Sequence, residues 1–182
     1  MTQSSFIFVR HGQSQANADS VIANAHSPLT QTGIEQARAT AHEVKHLDIT
    51  QIACSPYLRA QQTAQAIATE LGLDIDSIQT IEDLRERGLG IHQNQPRIHE
   101  GIWYFTDDTS KGIELRADLL KRMTHCAQQI KNLGTDKKTL VVGHAISGFY
   151  LTQVLSGHAT LDQFDPPELM SNAAYVELPY PA

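Results

Sequence analysis

Short apolar runs alternate with longer segments whose apolar residues return at helical spacing, and the chain switches between the two periods several times. Runs at 6–9, 51–54, 77–81, 139–143 and 174–178 predict strands, most of them buried on both faces. Between them Ile34, Ala37, Ala41 and Val44 share one helical face, as do Ala60, Ala64, Ile67, Ala68 and Leu71 after Ser55-Pro56. A third stripe runs through Leu119, Leu120, Met123, Ala127 and Ile130, and a fourth helix at 146–155 is apolar nearly all round, which predicts burial. Gly72 and Gly134 stand where the second and third helices should stop. Strands alternating with helices predict a layered α/β domain. The exception is 92–112, rich in Asn, Gln, Asp and Gly yet carrying Ile102-Trp103-Tyr104-Phe105. A loop of this length reads as a lid over a cleft or as a satellite core. The stretch 179–181 reads as a frayed terminus.

Composition narrows this picture. A chain of 182 residues predicts one domain, 1–182, with 92–112 as its lid or insertion. With 14 Lys+Arg against 20 Asp+Glu the net charge is −6, which argues against the basic surface that drives nonspecific binding to nucleic acid or anionic membrane. Two cysteines, Cys54 and Cys126, cannot build a disulfide framework. No window approaches the length of a membrane span, and the first residues lack a basic, then apolar, leader. The expected location is the cytoplasm.

Candidate chemistry gathers at the ends of the expected strands. His11 follows the first of them within Arg10-His11-Gly12, and ligands of open α/β sheets bind at carboxyl ends of strands. The tripeptide alone is a weak signal. His144 follows the run 140–143 and enters a helix whose N–H groups favour an anion. Arg59 opens the helix after the second strand, and Glu86 lies past the third. Four elements thus each deliver a titratable or anion-binding group to one structural station.

These residues make the chain similar to the histidine phosphatase superfamily, the phosphoglycerate-mutase-like enzymes. Arg10-His11-Gly12-Gln13-Ser14 with Asn17 resembles its signature; Ser27-Pro28-Leu29-Thr30, Ser55-Pro56 through Arg59-Ala60, Leu84-x-Glu86-Arg87-x-x-Gly90 and Gly143-His144 follow in the family's order. The resemblance implies a three-layer α/β/α fold with a mixed, mostly parallel sheet. It implies that His11 is a nucleophile that becomes phosphohistidine, its other ring nitrogen held by a main-chain carbonyl. Arg10, Arg59, His144 and Asn17 would hold the phosphoryl oxygens, and Arg87 would add a substrate contact. Glu86 would be the proton donor and acceptor, because no acidic residue follows His144-Ala145-Ile146-Ser147 as in the acid-phosphatase-like branch. The resemblance implies neither metal nor cofactor, apart from a 2,3-bisphosphoglycerate primer if the enzyme is a mutase.

Rival readings are weaker. Cys54 and Arg59 are spaced Cys-x4-Arg rather than the Cys-x5-Arg of cysteine phosphatases, so Cys54 reads as a buried apolar residue. His42 and His46 stand beside Glu43 and Lys45, where a solvated face accounts for them better than a metal. A silent phosphate-binding module is disfavoured by the full set Arg10, His11, Arg59, Glu86 and His144. Phosphatase and mutase are harder to part. Ile91-His92-Gln93-Asn94 stands where phosphatases of the family often show Trp-Glu-Gly, which favours a mutase. Trp103 is followed by Tyr104-Phe105 rather than the arginine pair of mutases, and the chain is shorter than theirs, which favours hydrolysis. The expectation is a phosphomonoesterase acting on a small phosphorylated metabolite, with Arg97, His99, Trp103 and Tyr104 as further candidate contacts and a homodimer left open.

Overall fold

The computed structural model describes residues 4–97, 106–157 and 169–181. Its sheet is built from β1 (Ser5–Arg10), β2 (Gln51–Cys54), β3 (Gln79–Thr80), β4 (Thr139–Gly143) and β5 (Tyr175–Pro179). The spatial order is β3-β2-β4-β1-β5, parallel throughout except for β5, which runs antiparallel to β1. The helices are α1 (Gln15–Ala18), α2 (Gln31–Val44), α3 (Leu58–Leu71), α4 (Arg116–Asn132) and α5 (Ala145–Leu155).

The period-2 alternation of β1 sorts the core into two layers. Ile7 and Val9 pack with Leu140, Val142 and Cys54 against α2 and α3. Phe6 and Phe8 point the other way with Val141 and pack against α4 and α5. Both faces are therefore covered, which is why β1 and β4 read as continuous apolar runs. This is the mixed, mostly parallel three-layer α/β/α arrangement.

Three details refine the expectation. The third strand is two residues long because Asp74 accepts from the Asp76 N–H and winds 75–77 into a 3₁₀ turn before pairing begins. The terminus is anchored: Tyr180 is 5% exposed, its ring centroid lies 5.4 Å from that of Phe6, and its hydroxyl lies 3.2 Å from Thr139 Oγ1. Residues 94–97 are pinned to 20–22: Ile22 N–H donates to Gln95 O and Arg97 N–H to Ser20 O. Ile22, Leu89 and Ile113 close a small apolar cluster beneath them. Residues 98–105, with His99, Trp103 and Tyr104, lie outside the described residues.

Candidate active site

His11 is the first residue past β1, and its N–H still donates to Gly143 O of the β4 end at 3.0 Å. The next peptide turns sharply under α2. A Cβ on Gly12 would collide with the Gly33 carbonyl and one on Gly33 with the Gln13 carbonyl, so both positions need glycine. The turn is fixed by Thr63 Oγ1, which accepts from the Gly12 N–H at 3.1 Å and donates to Arg59 O at 2.7 Å.

Two partners of unambiguous role set the state of the His11 ring. Its Nδ1 lies 2.7 Å from Gly12 O, which can only accept, so Nδ1 carries the proton. Its Nε2 lies 3.1 Å from Arg59 Nε, which can only donate, so Nε2 presents a lone pair. The imidazole is thus neutral. Burial, followed by the charges of Arg59 and Arg10, holds its pKa well below the usual imidazole value, with the Gly12 carbonyl opposing them.

Arg59 leaves the first turn of α3 and is 2% exposed. Its Nη1 donates to Asn24 O at 2.7 Å, and its guanidinium carbon sits 5.1 Å from the Tyr57 ring centroid, a cation–π distance. Burial lowers its pKa to about 10, against Glu86 and Tyr57, so it stays charged at neutral pH. His144 caps α5 and is fully buried, with its ring centroid 5.2 Å from that of His11. Its Nε2 lies 2.7 Å from Ser55 Oγ, whereas its buried Nδ1 has no hydrogen-bond partner among the described residues. Burial, then Arg59, His11 and Arg10, holds this imidazole neutral as well.

Asn17 is oriented by its oxygen. Oδ1 accepts from Ser14 N–H at 3.1 Å, Ser14 Oγ at 3.0 Å and Asn172 Nδ2 at 3.3 Å. That leaves the amide NH₂ for the cavity that Asn17 borders.

Glu86 is held from a different direction. Its Oε1 accepts from Ser147 N–H at 2.8 Å and Arg87 N–H at 3.0 Å, and its Oε2 accepts from Ile146 N–H at 3.1 Å. Two of these donors belong to the first turn of α5, the end that His144 caps, where the helix dipole favours an anion. The loop carrying Glu86 is clamped by Arg122 of α4. Its Nη1 donates to the carbonyls of Asp83 (2.6 Å) and Arg85 (2.8 Å), while Nε and Nη2 form a fork on the Glu114 carboxylate at 2.8 and 2.7 Å. Burial alone would raise the Glu114 pKa; Arg122 and the Gly88 N–H overcome it and hold the carboxylate ionised.

Arg10, His11, Asn17, Arg59 and Glu86 border one cavity. Ile22, Leu89 and Ile146 supply its apolar wall, and Gln93 and Arg97 its polar one. His144 packs behind His11 and is not among the residues lining that cavity. Arg87 reaches the site from a buried position. It touches the cavity, but its side chain is fully buried and donates to Glu114 O, Thr106 O and the Asp107 carboxylate. Those bonds anchor the 106–114 segment.

Sequence reasoning passed over four groups: the Ser55 hydroxyl, the Asn24 carbonyl, the Arg122–Glu114 pair and Asn172. Ser55 lay inside a recognised motif; the others carried no motif. Cys54 and Cys126 are buried free thiols, pushed up by burial to about 11 and about 12. Among the described residues no cluster of three or more His, Cys, Asp or Glu could hold a metal, and no helix is long and apolar enough to cross a membrane.

Comparison with known proteins points one way. Residues 6–181 match the family model described as histidine phosphatase superfamily (branch 1). A probable phosphoglycerate mutase, GpmB, of Yersinia pestis (strain Pestoides F) is 42% identical over 89 residues, 48% of this chain and 40% of the relative. The chain thus spans about two fifths of the curated relatives it matches. Among solved structures, a mycobacterial glucosyl-3-phosphoglycerate phosphatase superposes with a TM-score of 0.79 at 21% identity, covering 96% of this chain and 90% of that one. A phosphoserine phosphatase mutant of Entamoeba histolytica gives 0.73 at 20% identity, covering 95% and 89%. At such identities the superpositions speak for the fold.

Proposed function

The chain belongs to the histidine phosphatase superfamily (branch 1), and from that premise we propose that it hydrolyses a small phosphomonoester through a phosphohistidine on His11. The observation that carries this reading is the neutral His11 ring, proton on Nδ1 and lone pair on Nε2, at the wall of a cavity that also holds two arginines and a carboxylate. A phosphoryl group passing through a loose transition state asks mainly for positioning and charge stabilisation.

Binding would uncap the nucleophile. Arg59 Nε–H donates to the Nε2 lone pair, so the guanidinium must pass this bond to a phosphoryl oxygen before attack. Arg10, Arg59 and the Asn17 NH₂ then surround the oxygens, and His144 Nδ1, without a partner among the described residues, would meet the group once it is bonded to His11, whose ring centroid lies 5.2 Å from that of His144. The Nε2–P bond forms as the P–O bond breaks, and Glu86 in its acid form gives its proton to the leaving oxygen. Water next attacks phosphorus, yields its proton to Glu86, and releases phosphate from a neutral His11. The apolar wall of Ile22, Leu89 and Ile146 suits a leaving group with hydrocarbon surface, and Arg97 and Gln93 are the polar contacts within its reach. We place the enzyme in the cytoplasm, where its two buried thiols stay reduced.

A second reading, phosphoglycerate mutase, draws on the GpmB match. The same phosphohistidine would serve it, with 2,3-bisphosphoglycerate as primer. One experiment tests both: phosphorus NMR of 3-phosphoglycerate and a panel of phosphomonoesters, with rapid quench for the phosphoenzyme, in wild type and His11→Ala. Hydrolysis should exceed mutase turnover, and a base-stable, acid-labile phosphoenzyme should form in wild type alone. Conversion to 2-phosphoglycerate faster than phosphate release would favour the mutase, and full activity in His11→Ala would remove the histidine mechanism altogether.

A further inference from the structure

We propose that Asn172 is a positioning residue of the phosphate site, aiming the Asn17 amide and tying it to the nucleophile's main chain; the proposal rests on the phosphohistidine reading above. Asn172 belongs to neither of the elements it connects. Its single amide nitrogen donates to His11 O at 3.1 Å and to Asn17 Oδ1 at 3.3 Å. One NH₂ group therefore bridges the residue that would attack phosphorus and a residue that would hold its oxygens.

The bridge reinforces a choice that Ser14 begins. An amide presents a donor end and an acceptor end of nearly equal size, and only the donor end can bind a phosphoryl oxygen. The wrong orientation would place a carbonyl against an anion. Ser14 supplies two donors to Oδ1 from within the same capping turn, and Asn172 supplies the third from outside it. The outside donor also fixes distance, because it is anchored at the same time to His11 O.

The segment that carries Asn172 is built to hold it still. The His11 carbonyl accepts a second bond from the Ala173 N–H at 3.2 Å, and Arg10 N–H donates to Ala174 O at 3.0 Å. Arg10 Nη1 donates to Met170 O, and Thr40 Oγ1 of α2 donates to Ala173 O at 2.7 Å. Ala173 is 6% exposed and adopts a φ of 60°, a left-handed conformation that is uncommon for a residue with a Cβ. Strain of this kind persists only where surrounding contacts over-determine the backbone. Here the kink turns Asn172 inward just before β5.

A double-mutant cycle with inorganic phosphate as the probe tests the role. Competitive inhibition by phosphate is measured for wild type, Asn172→Ala, Asn17→Ala and the double variant. Loss of one neutral hydrogen bond that orients a donor should raise the inhibition constant about tenfold in Asn172→Ala. In the Asn17→Ala background the same change should cost less than twofold, because nothing is left to aim. Equal factors in both backgrounds, or no change in the first, would overturn the proposal. Should Asn172→Ala fail to fold, Asn172→Asp keeps the size and removes the donor; it should show a loss of at least the same tenfold, and an unchanged inhibition constant would overturn the role. Wild-type protein that neither turns over phosphomonoesters nor responds to phosphate refutes the functional reading itself. Active wild type with indistinguishable Asn172 variants refutes only the inference.

Discussion

His11 and His144 stand one residue past the ends of β1 and β4, where ladder hydrogen bonds fix their main chain, whereas Glu86 stands six residues past the two-residue β3 in a loop without a ladder. The two ends of the cavity are therefore held by different means. At the histidine end the sheet does the positioning, and short side-chain bonds to Gly12 O and Ser55 Oγ do the rest. At the carboxylate end an ion pair between Arg122 and Glu114 carries the loop, and α5 receives the carboxylate. Rigidity comes from backbone pairing in the first case and from buried charge in the second. The second can be broken without touching the first.

The largest separation of the two ends is expected from Glu86→Gln. Removing a general acid costs about 10²- to 10⁴-fold in rate, and the loss should be largest for phosphate esters with poor leaving groups. Phosphorylation of His11 from an ester with an acidic leaving alcohol should survive, because that oxygen needs no proton. Rapid-quench kinetics on an alkyl and an aryl phosphate measure this; equal losses on both would mean that the two ends are not chemically separable and that Glu86 is not the acid.

Arg122→Met attacks the same end through its support. The Arg122 and Glu114 side chains are 7% and 16% exposed, and removing one partner of a buried pair costs about 3–5 kcal/mol. At about 2–4 °C per kcal/mol for a chain of this size, a fall in Tm of roughly 10 °C is expected by calorimetry. Turnover of alkyl phosphates should fall while phosphate affinity stays within about threefold, since the anion's partners sit on the other end. An equal collapse of phosphate affinity would show that the ion pair supports the whole cavity.

The same division explains what could be read from the chain alone. Strands buried on both faces announce themselves by composition, so β1, β2 and β4 were visible, together with the histidines that follow β1 and β4. Arg122 was not. It stands between Lys121 and Met123 on α4 with no motif around it, although it is 8% exposed; only the fold brings Glu114 to it. Asn172 was hidden for a related reason, since its partners are 155 and 161 residues away. Tyr180 looked frayed because a Pro-Tyr-Pro end carries no period, yet its ring found Phe6. Local signals report what a residue's neighbours in sequence demand, and these three side chains answer to neighbours in space.

A smaller effect probes the burial of the histidine end. Both imidazoles are held below the ordinary pKa near 6.5. As pH falls through 6.5 the unfolded chain takes up protons that the folded chain refuses, so stability rises with pH in this window. It should be level above about pH 7.5, decline from about pH 6.5 downward, and level again below the depressed native values. The slope contributed by each imidazole is at most about 1.4 kcal/mol per pH unit. Denaturant melts of wild type and of His11→Gln with His144→Gln check this: the double variant should lose that part of the slope, and an unchanged slope would show that the buried imidazoles do not carry it. NMR titration should find neither ring changing state between pH 6 and 8.

Ser55→Ala is the finest cut, because it touches one proton at the end that the sheet already holds. Ser55 Oγ accepts from the Tyr57 N–H at 3.3 Å and lies 2.7 Å from His144 Nε2, to which it can give its own proton. In that arrangement His144 would carry hydrogen on Nδ1, the atom with no partner among the described residues, and could donate it to a phosphoryl oxygen. Without Ser55 the other tautomer becomes accessible and turns a lone pair toward the anion. The expected cost is about 1 kcal/mol in phosphate binding, somewhat under tenfold, with the Tm nearly unchanged. Nitrogen chemical shifts of His144 report the tautomer directly. If the shifts stay those of an Nδ1–H imidazole in Ser55→Ala while affinity falls, Ser55 acts by packing, and the proton at this end is set by Arg59 and His11 instead.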